Sequence, residues 1–366
     1  IRICGDEWMI KSFDEVFEDV TKLGVKIKTD EYHPIGKYQI IDQGQEAVAG
    51  YSDLEDGVFE NVPAIVFGDH TRIVKYVDQP FFLGADGVKV LRSRFKDANY
   101  RYLYYALKSV KIPNTGYNRH FKWLKEAKIY YPNSEEQSKI VLILDEISSV
   151  IEHRQRQLQK LDELVKARFI ELFGDMFLNS KAWKKQALDS LADVVSGITK
   201  GRKTKEPQLI EVPYMAVSNV KDGYIDWTTV KTIQATQQEI EQYRLLPDDV
   251  LMTEGGDPDK LGRGAILKEP LQNCIHQNHI FRVRLNESLI LPAFFEEYLK
   301  HQKAKRYFLG CAKQTTGIAS INMRQLKALP VLLPPLELQE QFAAFVEQTD
   351  KSKVAVQTAL RKKGII

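Results

Sequence analysis

The sequence predicts an α+β protein built from two similar globular domains, each followed by a long amphipathic helix. Three observations predict this class. The second half of the chain repeats the order of segments in the first half, short β-branched runs alternate with turn residues in both halves, and each half ends in an apolar stripe with heptad-like spacing. We expect the two long helices to pair as an antiparallel coiled coil, so that the chain forms a pseudo-twofold internal repeat.

The internal repeat appears as similar segments that follow one another in the same order. Their offset grows from 175 to 192 to 202 residues along the chain, as expected when the second copy carries insertions. The matched segments are 13–20 with 188–195, 87–94 with 279–286, 102–109 with 294–301, and 124–140 with 326–342.

The globular part of each half is predicted to be mostly strand and turn. Its short runs are β-branched or aromatic and are bounded by Gly, Asp and Pro. The clearest predicted strands lie in 63–69, 71–77, 212–220 and 248–256, and two short amphipathic helices are predicted over 99–108 and 292–305.

The first long helix is predicted to begin with Asn133 or Ser134 as its N-cap and to end near Gly174. Ser134 and Gln137 have the spacing of a capping box. About 40 residues at 1.5 Å per residue give a rod of about 60 Å. Its apolar seam, with Arg154 and Arg168 at two places, comprises Ile140, Leu144, Ile147, Ile151, Leu158, Leu161, Val165 and Leu172.

The second long helix is predicted to follow Pro334 and Pro335 and to be shorter, about 30 residues. Its packing residues are Phe342, Val346, Val356 and Leu360, with Thr349 and Lys353 diluting the seam. Because each helix follows its own domain, antiparallel pairing is the simplest way to bury both stripes; burial in two separate cores is the alternative. The predicted boundaries are 1–133 for the first globular domain, 134–174 for the first long helix, 175–335 for the second globular domain and 336–366 for the second long helix.

Composition limits the class of protein. The chain has 366 residues, 43% hydrophobic and 28% charged, which suits about two folded domains and argues against disorder. No apolar run approaches the roughly 20 residues of a membrane span, and the acidic start does not resemble a signal peptide. Three widely spaced cysteines without a CxxC pair suggest a reducing compartment, so we expect a cytoplasmic protein without a membrane partner.

The charge is unevenly distributed. The net charge of +3 excludes a uniformly basic coat, but lysines and arginines cluster within 101–128 and 181–205. Such patches are typical of a protein that touches a polyanion along chosen faces, and an ordinary solvated surface is the alternative.

Catalytic signatures are absent from the sequence. It lacks a (D/N/S)PP(Y/F) segment, a P-loop, an HExxH motif and paired CxxC motifs, so we expect no catalytic residue, no metal and no cofactor on this chain. His70, His276 and His279 are interpreted as surface or loop residues. The carboxylates in DPDKLGRG (257–264) fit a polar turn better than a nuclease site.

Four motifs in a fixed order punctuate the two halves. They are IVFGDHTR (65–72), PNSEEQ (132–137) before the first long helix, ELFGDMF (171–177) at its end, and TTGIASINMRQL (315–326) before a second P-x-x-E-x-Q pattern (334–339). Together they resemble the specificity (S) subunit of type I restriction–modification enzymes over essentially the whole chain. The first half departs from the pattern, because NTGYNRHF (114–121) stands where the second half has TTGIASIN.

The resemblance implies a DNA-recognition subunit without catalytic activity of its own. Two target-recognition domains would each read one half of a bipartite site in double-stranded DNA, and the paired helices would fix the spacer and dock two modification (methyltransferase) subunits. Restriction (translocase–nuclease) subunits would join that core. S-adenosylmethionine and ATP with Mg would bind the partner subunits. A stand-alone DNA-binding scaffold, a scaffold joining two peptide-binding units, and an uncharacterised nuclease are the alternatives.

Candidate DNA contacts follow from residue type. Lysine and arginine suit phosphates, whereas Arg, Asn, Gln, Ser and Thr on loops can read base edges. For each candidate, an ordinary surface role is the alternative. The candidates in the first domain are Gln43, Gln45, Arg72, Lys75, Arg92, Arg94, Asn118, Arg119 and His120. Those in the second are Lys200, Arg202, Lys203, Ser218, Asn219, Lys221, Arg263, Gln277, Asn278, Gln314, Thr315, Thr316, Ser320, Asn322 and Arg324.

Overall fold

The structure is a computed structural model that describes residues 9–84, 86–116, 118–203, 208–257, 261–315 and 318–362, without the side chains of 314, 315, 318 and 360–362. The chain divides into two compact units, Ile1–Glu152 (unit 1) and His153–Ile366 (unit 2). Within the described ranges, no helix combines the length and apolar character that a membrane span requires.

Unit 1 consists of nine short strands, three short α-helices and the first half of a long helix among its described residues. Its strands are β1 (Ile10–Ser12), β2 (Phe17–Asp19), β3 (Tyr38–Ile41), β4 (Gly50–Ser52), β5 (Ala64–Gly68), β6 (Val74–Val77), β7 (Phe81–Leu83), β8 (Val88–Ser93) and β9 (Lys128–Tyr130). Its helices are α1 (Phe13–Val16), α2 (Tyr100–Ser109), α3 (Phe121–Lys125) and the first half of α4 (Ser134–Phe173).

Unit 2 contains the rest of α4 and a larger set of elements. Its strands are β10 (Lys184–Ala187), β11 (Ala192–Ser196), β12 (Ile210–Met215), β13 (Lys231–Ala235), β14 (Val250–Thr253), β15 (Gly255–Gly256), β16 (Gly264–Ile266), β17 (Ile275–His276), β18 (Ile280–Leu285), β19 (Lys313–Thr315), β20 (Ile318–Ser320) and β21 (Pro330–Leu333). Its further helices are α5 (Gln237–Tyr243), α6 (Pro292–Lys300), α7 (Gln302–Cys311), α8 (Met323–Lys327) and α9 (Leu336–Lys362).

The two units share one topology. The antiparallel sheet β2-β8-β5-β6 of unit 1 corresponds to β11-β18-β14-β16 of unit 2. In the second sheet, β3 pairs antiparallel with β4 and parallel with β7, just as β12 pairs with β13 and β17. The ribbons β1-β9 and β10-β21 also match. The predicted α+β repeat is confirmed, and α5 and α7 are among the insertions that lengthen the second copy.

Some predicted elements are shorter than expected or are divided. The helix predicted over 292–305 is two helices, because His301 is extended (φ −75°, ψ 149°) and its side chain accepts a hydrogen bond from the Lys303 N–H at 3.3 Å. The strand predicted over 71–77 begins only at Val74, because Arg72 adopts a left-handed conformation (φ 64°). The strand predicted over 212–220 ends at Met215, where one 3₁₀ turn follows.

The first long helix has the predicted span. Helix α4 contains 40 residues, and the N–H of Gly174 (φ 75°) closes its end by donating to the Ile170 carbonyl at 2.7 Å. Asn133 is the N-cap, since its Oδ1 accepts from the Glu136 N–H at 2.9 Å. The predicted capping box is wrong, because the buried Gln137 side chain binds the Pro132 carbonyl in the segment between β9 and α4.

A buried glutamine explains the P-x-x-E-x-Q pattern before each long helix. Gln137 Nε2 donates to the Pro132 carbonyl at 2.8 Å, and Gln339 Nε2 donates to the Pro334 carbonyl at 2.9 Å. Gln339 Oε1 also accepts from the Leu291 N–H at the start of α6, at 2.9 Å. The motif therefore ties the first turn of each long helix to the chain before it.

The second half of α4 contacts α9 within unit 2. Lys353 Nζ lies 2.8 Å from Asp162 Oδ1, and the rings of Phe169 and Phe342 are 5.3 Å apart between centroids. Residue numbers rise along α4 as they fall along α9, so the contact is antiparallel, as predicted. Thr349 joins this seam. It is 5% exposed, and its hydroxyl donates a hydrogen bond to the Phe345 carbonyl at 2.8 Å.

The predicted helix-packing residues divide by depth. Val165, Leu172 and Phe342 are buried, whereas Leu144, Ile151, Leu158, Leu161, Val346 and Val356 are half-buried. Two assignments are corrected in unit 1. Ile140 packs against the core of that unit, and Ile147 is exposed, whereas the neighbouring Asp145 and Ser148 side chains contact Tyr105 of α2. The Leu360 side chain lies outside the described residues.

Candidate nucleic-acid interface

Three loops of unit 1 meet beyond the ends of its sheets. They follow β3 (42–46) and β5 (69–72) and precede β8 (84 and 86–87). The Asp69 N–H donates to the Gly87 carbonyl at 2.7 Å, and the His70 N–H donates to Gln43 Oε1 at 3.2 Å. We call these loops, together with the described part of the loop 114–120 (114–116 and 118–120), the loop edge of unit 1.

The loop 114–120 joins this edge through His120. The His120 N–H donates to the Asp69 carbonyl at 2.7 Å, and its Nδ1 lies 3.0 Å from the same oxygen. Asp69 Oδ1 in turn accepts from the Phe121 N–H at 2.7 Å, at the start of α3. Buried His120 therefore holds the loop in place, whereas Asn118 and Arg119 on the loop are exposed.

Unit 2 builds the same edge from loops 196–198, 216–219, 254–257, 277–279 and 318–322, apart from the side chain of 318. The Gln277 N–H donates to the Met215 carbonyl at 3.0 Å, as the Gly84 N–H does to the Ile41 carbonyl at 2.8 Å in unit 1. The Ile321 N–H donates to the Glu254 carbonyl at 2.9 Å. We call these loops the loop edge of unit 2.

The last of these hydrogen bonds relates the two divergent motifs. The bond from Ile321 to Glu254 occupies the place that the bond from His120 to Asp69 has in unit 1. The loop NTGYNRHF is thus the positional counterpart of TTGIASIN, although the two share few side chains. The described parts of both loops, 114–116 with 118–120 and 319–322, lie at the same edge of their unit.

Charges of both signs lie along the edges. Lys26 Nζ lies 2.8 Å from the exposed Asp86 carboxylate and lowers its pKa, with smaller contributions from Arg119 and His70. In unit 2, His279 Nδ1 lies 2.5 Å from Glu254 Oε2. Sequence reasoning missed both carboxylates as parts of the site. The repeat register could have indicated Glu254, which follows β14 as Asp69 follows β5.

His276 was interpreted as a surface or loop residue, and this is wrong. It lies in β17, fully buried, with Nδ1 3.0 Å from the Ile280 carbonyl. Burial lowers its pKa to about 3, the Ile280 carbonyl opposes that shift, and the charges of Arg282 and Arg284 add to it. The ring is therefore neutral at physiological pH and supports the start of β18 behind the loop edge.

The candidate DNA contacts differ in accessibility. Those exposed are Gln45, Arg94, Asn118, Arg119, Lys200, Lys203, Ser218, Asn322 and Arg324. Those half-buried are Gln43, Arg72, Arg92, Arg202, Lys221, Arg263, Gln277, Asn278 and Ser320. Lys75, His120 and Asn219 are buried. Thr316 and the side chains of Gln314 and Thr315 lie outside the described residues.

Several candidate cations already have partners within their unit. Lys75 Nζ contacts Asp42 Oδ1 at 3.2 Å and the Glu46 carbonyl at 2.6 Å, in a buried position. Arg202 forms a bidentate pair with Glu239. These pairings disfavour phosphate contacts, since a phosphate would have to displace a carboxylate. Arg92, on the strand β8, is paired with Glu18 at 2.6 Å.

Asn219 and Arg94 also serve the fold. Asn219 Oδ1 accepts from the Ala216 N–H at 2.9 Å, and its Nδ2 donates to the carbonyls of Asp226 and Thr229 at 2.8 and 2.9 Å. Arg94 Nε donates to the Asp14 carbonyl at 2.8 Å, after the end of β8 that is remote from the loop edge. Neither placement favours base reading.

Comparisons with known proteins agree with the repeat. The family model described as the type I restriction modification DNA specificity domain matches residues 5–163 and again residues 180–363. The putative type I restriction enzyme MjaX specificity subunit of Methanocaldococcus jannaschii is 29% identical over 169 residues, 46% of this chain and 39% of that protein. The type I restriction enzyme EcoR124I/EcoR124II specificity subunit of Escherichia coli is 22% identical over 373 residues, covering 94% of this chain and 86% of that protein.

A solved structure shows the same fold. The S subunit of the type-I restriction-modification system from M. genitalium covers 96% of this chain and 92% of its own, with 18% identity and a TM-score of 0.56. The match to the M. jannaschii protein spans about two fifths of that relative's length. The family model, by contrast, covers nearly the whole chain in two copies. This chain therefore belongs to the type I restriction–modification DNA specificity family and carries its domain twice.

Proposed function

We propose that this chain recognises a bipartite sequence in double-stranded DNA, with unit 1 reading one half-site and unit 2 the other. The observation that supports this most is that one loop edge is built twice on the same sheet topology but carries different side chains in each unit. A repeated scaffold with unlike loops suits two half-sites of unlike sequence.

Exposed side chains at the loop edges are the proposed DNA contacts. Arg119 on the loop edge of unit 1, and Lys200 and Lys203 just after the 196–198 loop of unit 2, would neutralise phosphates and supply affinity without sequence information. Gln45, Asn118 and Ser218 carry the donors and acceptors that base edges in the major groove require. In this proposal, the partnered candidates described above stabilise the loops instead.

The paired helices have the proposed role of setting the spacer and docking two modification subunits. Helix α4, at about 60 Å, is close to two turns of B-DNA at about 34 Å each. Restriction subunits would join the assembly, and S-adenosylmethionine and ATP with Mg would bind the partners. The chain itself would contribute recognition and no catalytic group.

Mapping of methylated adenines tests this function directly. We expect DNA from cells that carry the chain with modification subunits to be methylated at a split motif, two short halves around a fixed gap. Exchanging residues 114–120 for an unrelated loop should alter only one half. A continuous motif, or methylation independent of this chain, would contradict the proposal.

Two rival functions predict different behaviour of the purified chain. A nuclease would cleave DNA on addition of a divalent metal, whereas we expect neither cleavage nor methylation. A scaffold that joins peptide-binding units would bind DNA weakly and without the steep salt dependence that phosphate contacts impose.

A further inference from the structure

One glutamine in each unit links the same two loops of the loop edge. In unit 1, Gln43 lies on the loop after β3, and its Nε2 donates to the Asp86 carbonyl at 2.9 Å on the loop before β8. In unit 2, Gln277 lies on the loop before β18, and its Oε1 accepts from the Val217 N–H at 3.3 Å on the loop after β12. The same pair of loops is therefore bridged from opposite sides.

The backbone establishes this correspondence without reference to the glutamines. The hydrogen bond from Gly84 to Ile41 in unit 1 matches that from Gln277 to Met215 in unit 2. Gln277 thus stands at the position of Gly84, and Val217, two residues after Met215, stands at the position of Gln43. Both units therefore contain a glutamine that bridges these two loops, although the two glutamines stand at non-equivalent positions of the repeat.

In unit 1 the bridge extends to a third loop. Gln43 Oε1 accepts from the His70 N–H at 3.2 Å, and the Gln43 carbonyl accepts from Thr71 Oγ1 at 2.7 Å. The fit is close, because a Cβ at Gly87 (φ 92°) would lie 2.7 Å from Gln43 Oε1. Both ends of the Gln43 amide are thus engaged, which leaves it poorly placed to read a base.

We infer that Gln43 and Gln277 are positioning residues, which set the distance between base-reading loops rather than contacting bases. The inference rests on the proposed function, since it presupposes that these edges read DNA. It predicts that losing the bridge lowers the sequence preference at several base pairs of one half-site. Losing a base reader, by contrast, should lower the preference at one base pair.

The test replaces the amide with an apolar side chain of similar length. The variants Gln43→Met and Gln277→Met are compared with Gln45→Met, a matched control on the same loop whose exposed side chain makes no hydrogen bond to any other described residue. The full chain, with its modification subunits, selects from randomised duplex DNA, and the selected sequences are counted.

For Gln43→Met we expect about a tenfold lower ratio of specific to non-specific binding, spread over several base pairs of one half-site. The slope of affinity against salt and the other half-site should not change, since phosphate contacts are untouched. Gln277→Met should affect the opposite half-site in the same way. Gln45→Met, which removes a proposed base reader, should relax recognition at a single base pair.

Hydrogen exchange gives a second readout that needs no DNA. Gln43→Met should speed exchange of the His70 amide, whereas Gln45→Met should leave it unchanged. Relaxation at a single base pair in Gln43→Met would identify a base reader and overturn the inference. Unchanged selection and exchange would overturn it as well. Failure of the unmodified complex to select any motif would instead count against the proposed function.

Discussion

Several buried polar side chains in this protein act by hydrogen bonding to main-chain groups of neighbouring segments. His120 holds the 114–120 loop through the Asp69 carbonyl, and Gln339 joins three main-chain groups at the starts of α6 and α9. Removing such a side chain strands buried donors and acceptors, at about 1–3 kcal/mol each. At this scale, a buried amide or imidazole is a structural clamp.

The buried imidazole of His276 predicts a pH dependence of stability. Its pKa is about 3 in the folded protein against an ordinary value of 6.5, so the unfolded chain binds a proton that the folded one excludes. Stability is therefore independent of this group above pH 6.5 and falls as the pH drops below it. From pH 6.5 to 5 the loss is about 2 kcal/mol. Urea unfolding, read by pulsed hydrogen exchange on peptides of unit 2, measures it.

The variant His276→Asn tests the assignment, because it removes the titrating ring while keeping a side-chain N–H for the Ile280 carbonyl. Its pH dependence should be flatter by about one proton over the same range. His33→Asn, an exposed histidine lost from unit 1, should leave the behaviour of unit 2 unchanged. An unaltered slope in His276→Asn would show that another group causes the effect.

Residue type alone could not separate readers from clamps. Gln43 and Gln45 lie two positions apart and have identical chemistry, yet the first bridges loops and the second is exposed. Lys75 looked like a phosphate contact because its partner, Asp42, is 33 residues away in sequence. The sequence indicated which loops matter, since its motifs fall on both edges, but side-chain partnerships depend on tertiary contacts.

Three helices of unit 2, α4, α6 and α9, meet at a cluster of phenylalanines. Phe169 and Phe173 of α4, Phe294 of α6 and Phe342 of α9 are each at most 2% exposed, and each of the two α4 rings lies 4.9–5.6 Å, between centroids, from the rings of Phe294 and Phe342. The cluster thus anchors the end of the first long helix and the start of the second to the domain between them.

Truncating one ring of this cluster should destabilise unit 2 strongly. For Phe342→Ala we expect a loss of about 3–5 kcal/mol, because a cavity forms against the rings of Phe169 and Phe173. Hydrogen exchange of the α9 and α6 amides measures it locally. Phe177→Ala, at a side chain 41% exposed, is the matched control and should cost less than about 1 kcal/mol. Equal effects would mean that the cluster does not anchor the helices.

Long periodic elements were predictable and short ones were not. The apolar seam and the cap residues predicted both ends of α4, because many residues along the segment indicate the same helix. The break at His301 escaped prediction, because a single extended residue inside an amphipathic pattern leaves the apolar spacing nearly intact. The capping box at Ser134 failed because Gln137 has a stronger partner in the Pro132 carbonyl.

At the scale of the whole molecule, the repeat explains how one chain can hold two different readers. The sheets, the ribbons and the glutamines before the long helices are conserved between the two units, whereas the loops that carry the proposed contacts differ in length and side chains. A shared scaffold lets either set of loops change without affecting the other. The growing offset made this visible in sequence, because insertions shift the register without changing the order of elements.

Shortening both long helices should shorten the spacer between half-sites. Deleting one heptad from each, residues 151–157 of α4 and 350–356 of α9, keeps the seams in phase and removes about 10 Å of rise. At about 3.4 Å per base pair, the preferred gap should shrink by about three base pairs while both half-sites stay the same. Inserting one heptad at each of the same places should lengthen the gap equally, and methylation mapping reads both variants. Because the loop edges are untouched, an altered half-site would show that the helices influence recognition itself. An unchanged gap in both variants would show that some other part of the assembly sets the spacing.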